Sequence, residues 1–302
     1  MYRDKRLTAS TLFIWLQTIR PKTLTAAIVP FCAGAALAYS GGSTISWELL
    51  FYALASALCI QIASNLLNDA FDFVKDTADP RRLGPQRAIH LGIADGKQMY
   101  FLGMVFFLFA WLFAIPLIIH GGSAIVVVLL FSMLAAYFYS GGPLPLTSVG
   151  LGDPFVFLFY GWIATAASYW LQAHVVDAKA ILLGTQIGLL CTTIIAVDNY
   201  RDIESDEKDN KKTLAVRFGP KFAKFEIAFL TFFPFSLNFL WLLWGYVFAA
   251  ILPMLAAPLA GYLVARIWKT RPSRAYNHFL ALAALLHLCF GALLILGFIL
   301  AG

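Results

Sequence analysis

Charged residues are scarce in this sequence of 302 residues. Asp, Glu, Lys and Arg together make up 13% of the chain, whereas hydrophobic residues make up 61% and aromatic residues 16%. Soluble domains carry about 25% charged residues, and they need them to cover their surface. The composition therefore excludes a soluble domain and favours an integral membrane protein.

Cysteine and histidine are also sparse, and neither is grouped. The four cysteines lie singly inside apolar stretches, at Cys32, Cys59, Cys191 and Cys289, without the spacing of a metal or redox motif. The five histidines are isolated as well, so zinc or haem ligation is not expected. The glycine patterns of nucleotide-binding loops are missing from the sequence. Carboxylates and amides are left as the candidate ligands.

The apolar residues are gathered into nine stretches, most of which have the length of a membrane-spanning helix, about 17–25 residues. They cover roughly residues 24–40, 47–68, 99–119, 122–139, 152–172, 180–197, 222–243, 247–266 and 279–300. No linker or low-complexity region divides the chain. We therefore predict one domain over residues 1–302, an all-α integral membrane protein with nine transmembrane helices.

The basic residues indicate the orientation of these helices. All 22 Lys and Arg residues except Lys179 fall on one side of the nine predicted helices, or in the turns that flank that side. Cytoplasmic segments of membrane proteins carry such an excess, which predicts a cytoplasmic N-terminus. The net charge of +6 then reflects topology, and no nucleic acid partner is expected.

Two acidic clusters stand at predicted cytoplasmic helix ends. The first contains Asn68, Asp69, Asp72 and Asp76, and the second contains Asp198, Asp202 and Asp206. Residues four apart share one helix face, with a drift of about 40° per step. Charges at membrane depth cost about 2.5–3.5 kcal/mol each, and like charges repel, so a cation should join them. Oxygen ligands of this kind suit Mg²⁺, which predicts a metal site where both clusters meet across a central cavity.

Basic and hydroxyl side chains next to these clusters are candidates for binding a diphosphate, because Arg and Lys hold phosphate oxygens while carboxylates hold the metal. The candidates are Arg87, Tyr139, Arg201 and Lys212. Arg87 follows a rigid Gly-Pro turn and Arg201 lies inside the second cluster, so these two are favoured. A basic residue on this side can also serve topology alone, and Tyr139 could equally belong to the interfacial aromatic belt.

The paired acidic pattern resembles the signature of the UbiA superfamily of intramembrane aromatic prenyltransferases. Residues 20–23, 82–87, 150–159 and 198–219 further resemble its MenA branch, which acts on 1,4-dihydroxy-2-naphthoate in menaquinone biosynthesis. The resemblance runs from about residue 15 to residue 220. Asp198 is a departure, since many relatives carry Asn at this position.

The resemblance implies a Mg²⁺-dependent enzyme in the bacterial inner membrane, with its active site facing the cytoplasm. It implies a polyprenyl diphosphate donor, 1,4-dihydroxy-2-naphthoate as acceptor, and surrounding membrane lipids. Asp72, Asp202 and Arg87 are then the expected catalytic residues, and Lys22 joins the expected diphosphate ligands. Departure of the diphosphate would leave an allylic cation that attacks the carboxyl-bearing ring carbon, and loss of CO₂ would restore aromaticity.

Two alternatives remain open from the sequence. The same chemistry could act on another acceptor, such as 4-hydroxybenzoate, homogentisate, chlorophyllide or haem. A divalent-cation transporter would instead need acidic residues deep inside the spans and on both sides of the membrane, and the nine apolar stretches are nearly free of carboxylates.

Overall fold

The structure is a computed structural model that describes residues 9–75, 83–85, 87–143 and 145–302. Within these ranges the chain forms helices and turns, without β-strands. The α-helices are α1 (Ala9–Ile19), α2 (Thr25–Ser40), α3 (Trp47–Lys75), α4 (Gly96–Ser140), α5 (Gly152–Val156), α6 (Ala164–Ala173), α7 (Ala178–Arg201), α8 (Ile203–Lys208), α9 (Leu214–Leu237), α10 (Val247–Ile251), α11 (Ala257–Lys269) and α12 (Tyr276–Ile299). Short 3-10 segments occupy Pro21–Thr23, Asn238–Trp244 and Leu252–Ala256, and a π-helical segment occupies Phe157–Ile163.

Seven helical segments of the described chain are long and apolar enough to cross a membrane, or eight if the bent pair Phe13–Thr23 and Thr25–Ser40 counts as one span. Their outward faces carry many exposed Phe, Leu and Ile side chains, as expected where lipid replaces water. The predicted all-α membrane architecture is confirmed. The number of nine spans and the orientation of the N-terminus stay predictions.

The longest segment, α4, is a helical hairpin. Its 45 residues would make a straight helix about 67 Å long, more than twice the apolar thickness of a bilayer. Its backbone leaves the helical region at Gly122, with φ 62° and ψ −149°. The rings of Tyr100 and Tyr137 both lie beside Phe71, at centroid distances of 6.1 and 5.5 Å. The chain must therefore double back at Gly122, and α4 covers two of the predicted apolar stretches.

Two hydrophobic cores hold the helices around a cavity. The larger core joins α2, α7, α9 and α12, and it includes the fully buried Leu183, Ile187, Ile227 and Phe290. A smaller core joins α3 to both arms of α4 through Leu67 and its neighbours. The C-terminal ends of α3 and α7, one from each group, line the same cavity.

Three glycines fix how closely α7 approaches the π-helical segment. A Cβ atom on Gly161 would lie 2.6 Å from the carbonyl oxygen of Gly184 and 2.8 Å from the Cα atom of Gly188. Only residues without side chains permit this contact between two backbones. The contact sets the height of α7 against the segment that precedes it, and with it the position of the second acidic cluster.

We predict that Gly161→Ala destabilises the protein by about 1–3 kcal/mol, because backbone atoms cannot move aside for the added methyl group. The measurement is thermal or denaturant unfolding in detergent. Gly261→Ala is the matched control, since a Cβ there meets no atom within 4 Å, and its stability should be unchanged or slightly higher. Equal stability of the two variants would contradict the close backbone contact.

Candidate active site

A cavity of about 1100 Å³ lies between α3, α4, α7 and the segment that runs from α5 to α6. Its polar residues gather at one end, near the C-terminal ends of α3 and α7. The opposite end is apolar and includes Ala53, Leu117, Ile125 and Leu171. Along α3 the distance from Ala53 to Asp72 is about 28 Å, at 1.5 Å per residue. The cavity therefore has a charged head and an apolar tail. Its whole length is nearly the thickness of the hydrocarbon core of a bilayer.

Both predicted acidic clusters face this head. The lining residues from the two clusters are Asn68, Asp69, Asp72, Asp198, Asp202 and Asp206. Asp76 lies outside the described residues. Exposure differs within the set, because the side chain of Asp198 is 42% exposed whereas that of Asp69 is fully buried. The clusters thus share one cavity, as predicted, but their members stand in different environments.

Asp69 lies between two arginines. Its Oδ1 atom is 2.6 Å from Nη2 of Arg20 and also accepts a hydrogen bond from Nη1 of Arg87. The same Nη2 atom of Arg20 donates to Oδ1 of Asn68 at 3.1 Å, and Asn68 donates in turn to Ser140 at 2.8 Å. A buried carboxylate shared in this way holds both guanidinium groups at the cavity wall. In this geometry Asp69 is a counter-ion of the arginines.

In the second acidic cluster, Arg201 forms the ion pairs with the carboxylates. It is 3% exposed, and its guanidinium lies 2.8 Å from Asp198 and forms two hydrogen bonds, of 2.8 and 2.5 Å, to Asp202. Its remaining Nη1 atom donates to Asn277 at 2.9 Å, which ties the cluster to α12. A planar guanidinium suits such bidentate pairing. Arg201 therefore holds Asp198 of α7 close to Asp202, which follows the helix.

Lys211 lies between the two clusters. Its Nζ atom is 3.6 Å from Oδ1 of Asp72 and 4.0 Å from Oδ1 of Asp206. Burial, together with the charges of Asp202 and Asp198, raises the pKa of Asp206 to about 7, and Lys211 acts in the opposite direction. The ammonium group of Lys211 thus lies where carboxylates of α3 and α8 approach each other.

The donor set fits Mg²⁺ in its chemistry, since every candidate ligand offers oxygen. Among the described residues, no three His, Cys, Asp or Glu side chains lie close enough together to hold a metal ion. Ion pairs explain this spacing, because Arg201 and Lys211 already neutralise the carboxylates that would otherwise converge on a metal.

The predicted phosphate-binding residues divide into two groups. Arg87, Arg201 and Tyr139 line the cavity, whereas Lys22 and Lys212 are exposed and stand outside the described lining. The cations present at the head instead include Arg20 and Lys211, neighbours of the two lysines in the sequence. No spacing rule distinguishes these neighbours, because Arg20 and Lys22 lie at a short 3-10 segment and Lys211 and Lys212 lie in the loop before α9.

Sequence reasoning also missed a pair behind the second cluster. Asn199 lines the cavity, and its Nδ2 atom donates to Oδ2 and Oδ1 of Asp153 at 3.0 and 3.3 Å. The sequence does contain a signal for this pair, because Asp153 is a single acidic residue at the start of an apolar stretch. Beside this pair the stacked rings of Phe155 and Phe159, 4.5 Å apart, form an aromatic part of the wall.

Comparison with known sequences gives a consistent result. The UbiA prenyltransferase family model matches residues 27–287. The 1,4-dihydroxy-2-naphthoate octaprenyltransferase of Escherichia coli (strain K12) is 36% identical over 257 residues, which are 81% of this chain and 82% of that protein. The enzyme of the same name from Bacillus subtilis (strain 168) is 32% identical over 212 residues, 69% of this chain and 66% of that protein.

Solved structures share the fold. A UbiA homologue from Archaeoglobus fulgidus bound to DMAPP and Mg²⁺ has a TM-score of 0.60 at 18% identity, covering 93% of this chain and 99% of that one. The apo structure of a UbiA homologue from Aeropyrum pernix K1 has a TM-score of 0.65 at 16% identity, covering 90% and 97%. At this level of identity the likeness shows the helical fold alone.

We predict that Arg201→Gln lowers the unfolding free energy by about 1–3 kcal/mol in metal-free buffer, because it removes the charge that pairs Asp198 and Asp202. Added MgCl₂ should restore part of this loss, since a divalent ion can replace the missing positive charge. Thermal unfolding with and without MgCl₂ measures both effects.

The control for this experiment is Arg271→Gln, which removes an exposed arginine outside the described cavity lining. Its unfolding temperature should stay near that of the unmodified protein. A loss in Arg201→Gln that is the same with and without MgCl₂ would contradict a metal site at these carboxylates.

Proposed function

The chain belongs to the UbiA prenyltransferase family, and on this basis we propose that it transfers a polyprenyl group from a polyprenyl diphosphate to 1,4-dihydroxy-2-naphthoate with loss of CO₂, the prenylation step of menaquinone biosynthesis. The observation that carries the proposal is the two-part cavity, which has paired acidic clusters at its head and an apolar tail, and which extends about 28 Å along α3 from Ala53 to Asp72. The choice of acceptor is supported by the names of the bacterial relatives, which are 30–36% identical over about two thirds or more of this chain.

The donor fits the cavity in one orientation. Its diphosphate would lie at the head, where the lining cations include Arg20, Arg87, Arg201, Lys208 and Lys211, and its hydrocarbon chain would occupy the apolar tail. The reverse orientation would bury a highly charged group among apolar side chains, at a cost of many kcal/mol. The apolar tail supplies affinity for a long prenyl group because it removes hydrocarbon from water.

The metal ligands would be Asn68, Asp72, Asp198, Asp202 and Asp206, with Asp76 as a further predicted ligand. Bound Mg²⁺ would supply positive charge that neutralises the leaving diphosphate. Lys211 would leave its position between Asp72 and Asp206 and pair with phosphate oxygens, which are stronger partners than two carboxylates at 3.6 and 4.0 Å. Asp69 would keep Arg20 and Arg87 aimed at the same phosphate.

The reaction then depends on positive charge that stabilises the leaving diphosphate and on apolar walls that exclude water. The allylic carbon–oxygen bond breaks, and its electron pair leaves with the diphosphate that the arginines hold. The faces of Phe155 and Phe159 offer negative charge density to the allylic cation, and the apolar wall keeps water away from it. A new bond forms to the ring carbon that carries the carboxylate, the bond to CO₂ breaks, and its electrons return to the ring.

The proposal includes the membrane arrangement. Counting the two arms of α4 separately, together with the bent pair at α2, gives nine spans that match the nine apolar stretches. The excess of basic residues on the side of both clusters supports a cytoplasmic active site in the bacterial inner membrane, with lipids against the exposed apolar faces. Residues 1–302 would form one domain, because both hydrophobic cores border the same cavity.

Another aromatic acceptor is the alternative that the cavity itself allows, because diphosphate and metal binding do not depend on the acceptor. The transporter hypothesis is set aside by the family and by the cavity, whose inner end is apolar and would not carry an ion.

The deciding experiment is turnover of radiolabelled polyprenyl diphosphate in liposomes with 1,4-dihydroxy-2-naphthoate or with 4-hydroxybenzoate. Each acceptor is tested with Mg²⁺ and with EDTA. We expect Mg²⁺-dependent product and CO₂ from the naphthoate alone. Product from 4-hydroxybenzoate alone would overturn the choice of acceptor, and product in EDTA would overturn the metal dependence.

We predict that Asp72→Ala and Asp202→Ala each lower turnover at least about 100-fold, because each removes a metal ligand from a different cluster. Both proteins should still insert and remain folded, as measured by size-exclusion chromatography in detergent. Glu204→Ala is the matched control, an acidic residue of the same segment that lies outside the described cavity lining. Near-normal turnover in either aspartate variant would contradict the two-cluster site.

Lys211 and Lys212 provide an internal comparison of adjacent lysines. We predict that Lys211→Met lowers kcat/KM for the prenyl diphosphate about 10- to 100-fold, because it removes a cation from the cavity head. Lys212→Met should change it less than about twofold, since that side chain is exposed and outside the described lining. Steady-state kinetics at saturating acceptor make the comparison, and the opposite ranking would contradict the placement of the diphosphate.

A further inference from the structure

Asn199 and Asp153 form a polar pair that the proposed metal and diphosphate site does not use. Asp153 is 4% exposed, and it stands at the start of α5, where the chain enters a membrane span. Both of its carboxylate oxygens accept hydrogen bonds from the amide nitrogen of Asn199 on α7. A buried carboxylate in an apolar span is costly, so the pair is expected to have a purpose beyond filling space.

The pair fixes which end of the Asn199 amide faces the cavity. An ionised carboxylate can only accept hydrogen bonds, so the NH₂ group of Asn199 must point towards Asp153. The carbonyl oxygen Oδ1 then points the other way, and Asn199 is among the residues that line the cavity. The cavity wall thus presents a neutral hydrogen-bond acceptor that cannot rotate to become a donor.

Asn199 lies at the boundary between the charged head and the apolar wall. Asp198 of α7 and Asp202, just after the helix, line the cavity near it, and Ile195 lines the cavity one turn below. On the facing element the stacked pair Phe155 and Phe159 lines the same wall. An aromatic ring placed against these phenylalanines would share the cavity with Asn199, whose partner Asp153 stands two residues before Phe155.

We propose that Asn199 binds a ring hydroxyl of the aromatic acceptor through its Oδ1 atom, and that Asp153 is the positioning residue that holds Oδ1 towards the cavity. This inference rests on the proposed function, because it takes a hydroxylated naphthoate as the acceptor. It assigns to Asn199 the recognition of the acceptor, as distinct from the metal and the diphosphate.

The charge of the neighbourhood favours a hydroxyl over the other ligands in reach. Diphosphate oxygens are acceptors and cannot pair with an amide oxygen. A metal ion is better served by the carboxylates on the same helix. The carboxylate of a naphthoate is negatively charged and is repelled by the aspartates. The amide oxygen of Asn199 is neutral, so it can accept a hydrogen bond from a hydroxyl of the naphthoate without adding to this repulsion.

The test measures equilibrium binding of three probes in the absence of prenyl donor, so that no turnover occurs. The probes are 1,4-dihydroxy-2-naphthoate, 1-hydroxy-2-naphthoate, which lacks the 4-hydroxyl, and 4-hydroxy-2-naphthoate, which lacks the 1-hydroxyl. Asn199→Ala should weaken binding of the dihydroxy compound about tenfold. It should leave the affinity of one monohydroxy probe unchanged, because that probe lacks the hydroxyl which Asn199 binds.

Asp153 is tested by an exchange of the two side chains. Asp153→Asn should weaken acceptor binding, because an amide at 153 no longer forces the orientation of Asn199. The double variant Asp153→Asn with Asn199→Asp re-forms the hydrogen bond with its direction reversed and should recover stability. Its affinity for the naphthoate should stay low, since a carboxylate now faces the carboxylate of the acceptor. A merely structural pair would recover stability and affinity together, and that result would overturn the proposal.

Two further measurements keep the outcomes distinct. Glu226→Gln is the control, because Glu226 is a second carboxyl in a membrane-spanning segment that lies outside the described cavity lining, and acceptor binding should be unchanged. Mg²⁺-dependent binding of prenyl diphosphate should be unchanged in Asn199→Ala, and a loss there would make Asn199 a metal ligand and overturn the proposal. Equal losses for all three probes would also overturn it. If the unmodified protein neither binds nor prenylates the naphthoate, the proposed function itself fails.

Discussion

Repulsion among carboxylates at the head of an apolar cavity is the interaction on which this structure depends. Six described aspartates line one cavity, Asp69, Asp72, Asp198, Asp202, Asp206 and Asp209. Their charges are screened little where apolar walls exclude water. Four described cations form ion pairs with these aspartates: Arg20, Arg87, Arg201 and Lys211. The arginines form close ion pairs within one cluster, whereas Lys211 lies between the two clusters at longer distances. In the proposed function it is the cation that moves from the carboxylates to the diphosphate.

The helical scaffold brings these charges together through contacts far from them. The glycine contact between α7 and the π-helical segment sets the height of the second cluster. The hairpin of α4 places Ser140 where it accepts a hydrogen bond from Asn68 of the first cluster. Asn277 of α12 accepts from Arg201 and donates to the carbonyl oxygen of Leu83, so the loop before Arg87 is tied to the second cluster. The two halves of the site are thus linked by hydrogen bonds as well as by charge.

Periodicity explains how much of this could be predicted from the sequence. Helical spacing of the acidic residues predicts one face for each cluster, and apolar length predicts where helices cross the membrane. The choice between adjacent residues could not be predicted, because it depends on contacts distant in sequence. Arg20 adopts a left-handed conformation, with φ 59° and ψ 62°, and its guanidinium pairs with Asp69. Lys211 faces the cavity where the backbone N–H of Lys212 donates to the carbonyl oxygen of Ser148 at 2.8 Å. The partnership of Asn199 with Asp153 likewise joins residues 46 positions apart.

The measurement that tests this account most directly is a binding cycle across the two clusters. Affinity for polyprenyl diphosphate with Mg²⁺ is measured by calorimetry for the unmodified protein, Asp72→Asn, Asp202→Asn and the double variant. If both clusters hold one metal–diphosphate complex, each single change removes most of the binding and the double change removes little more. Losses that simply add would show two independent sites, and they would contradict the central claim that the clusters act as one.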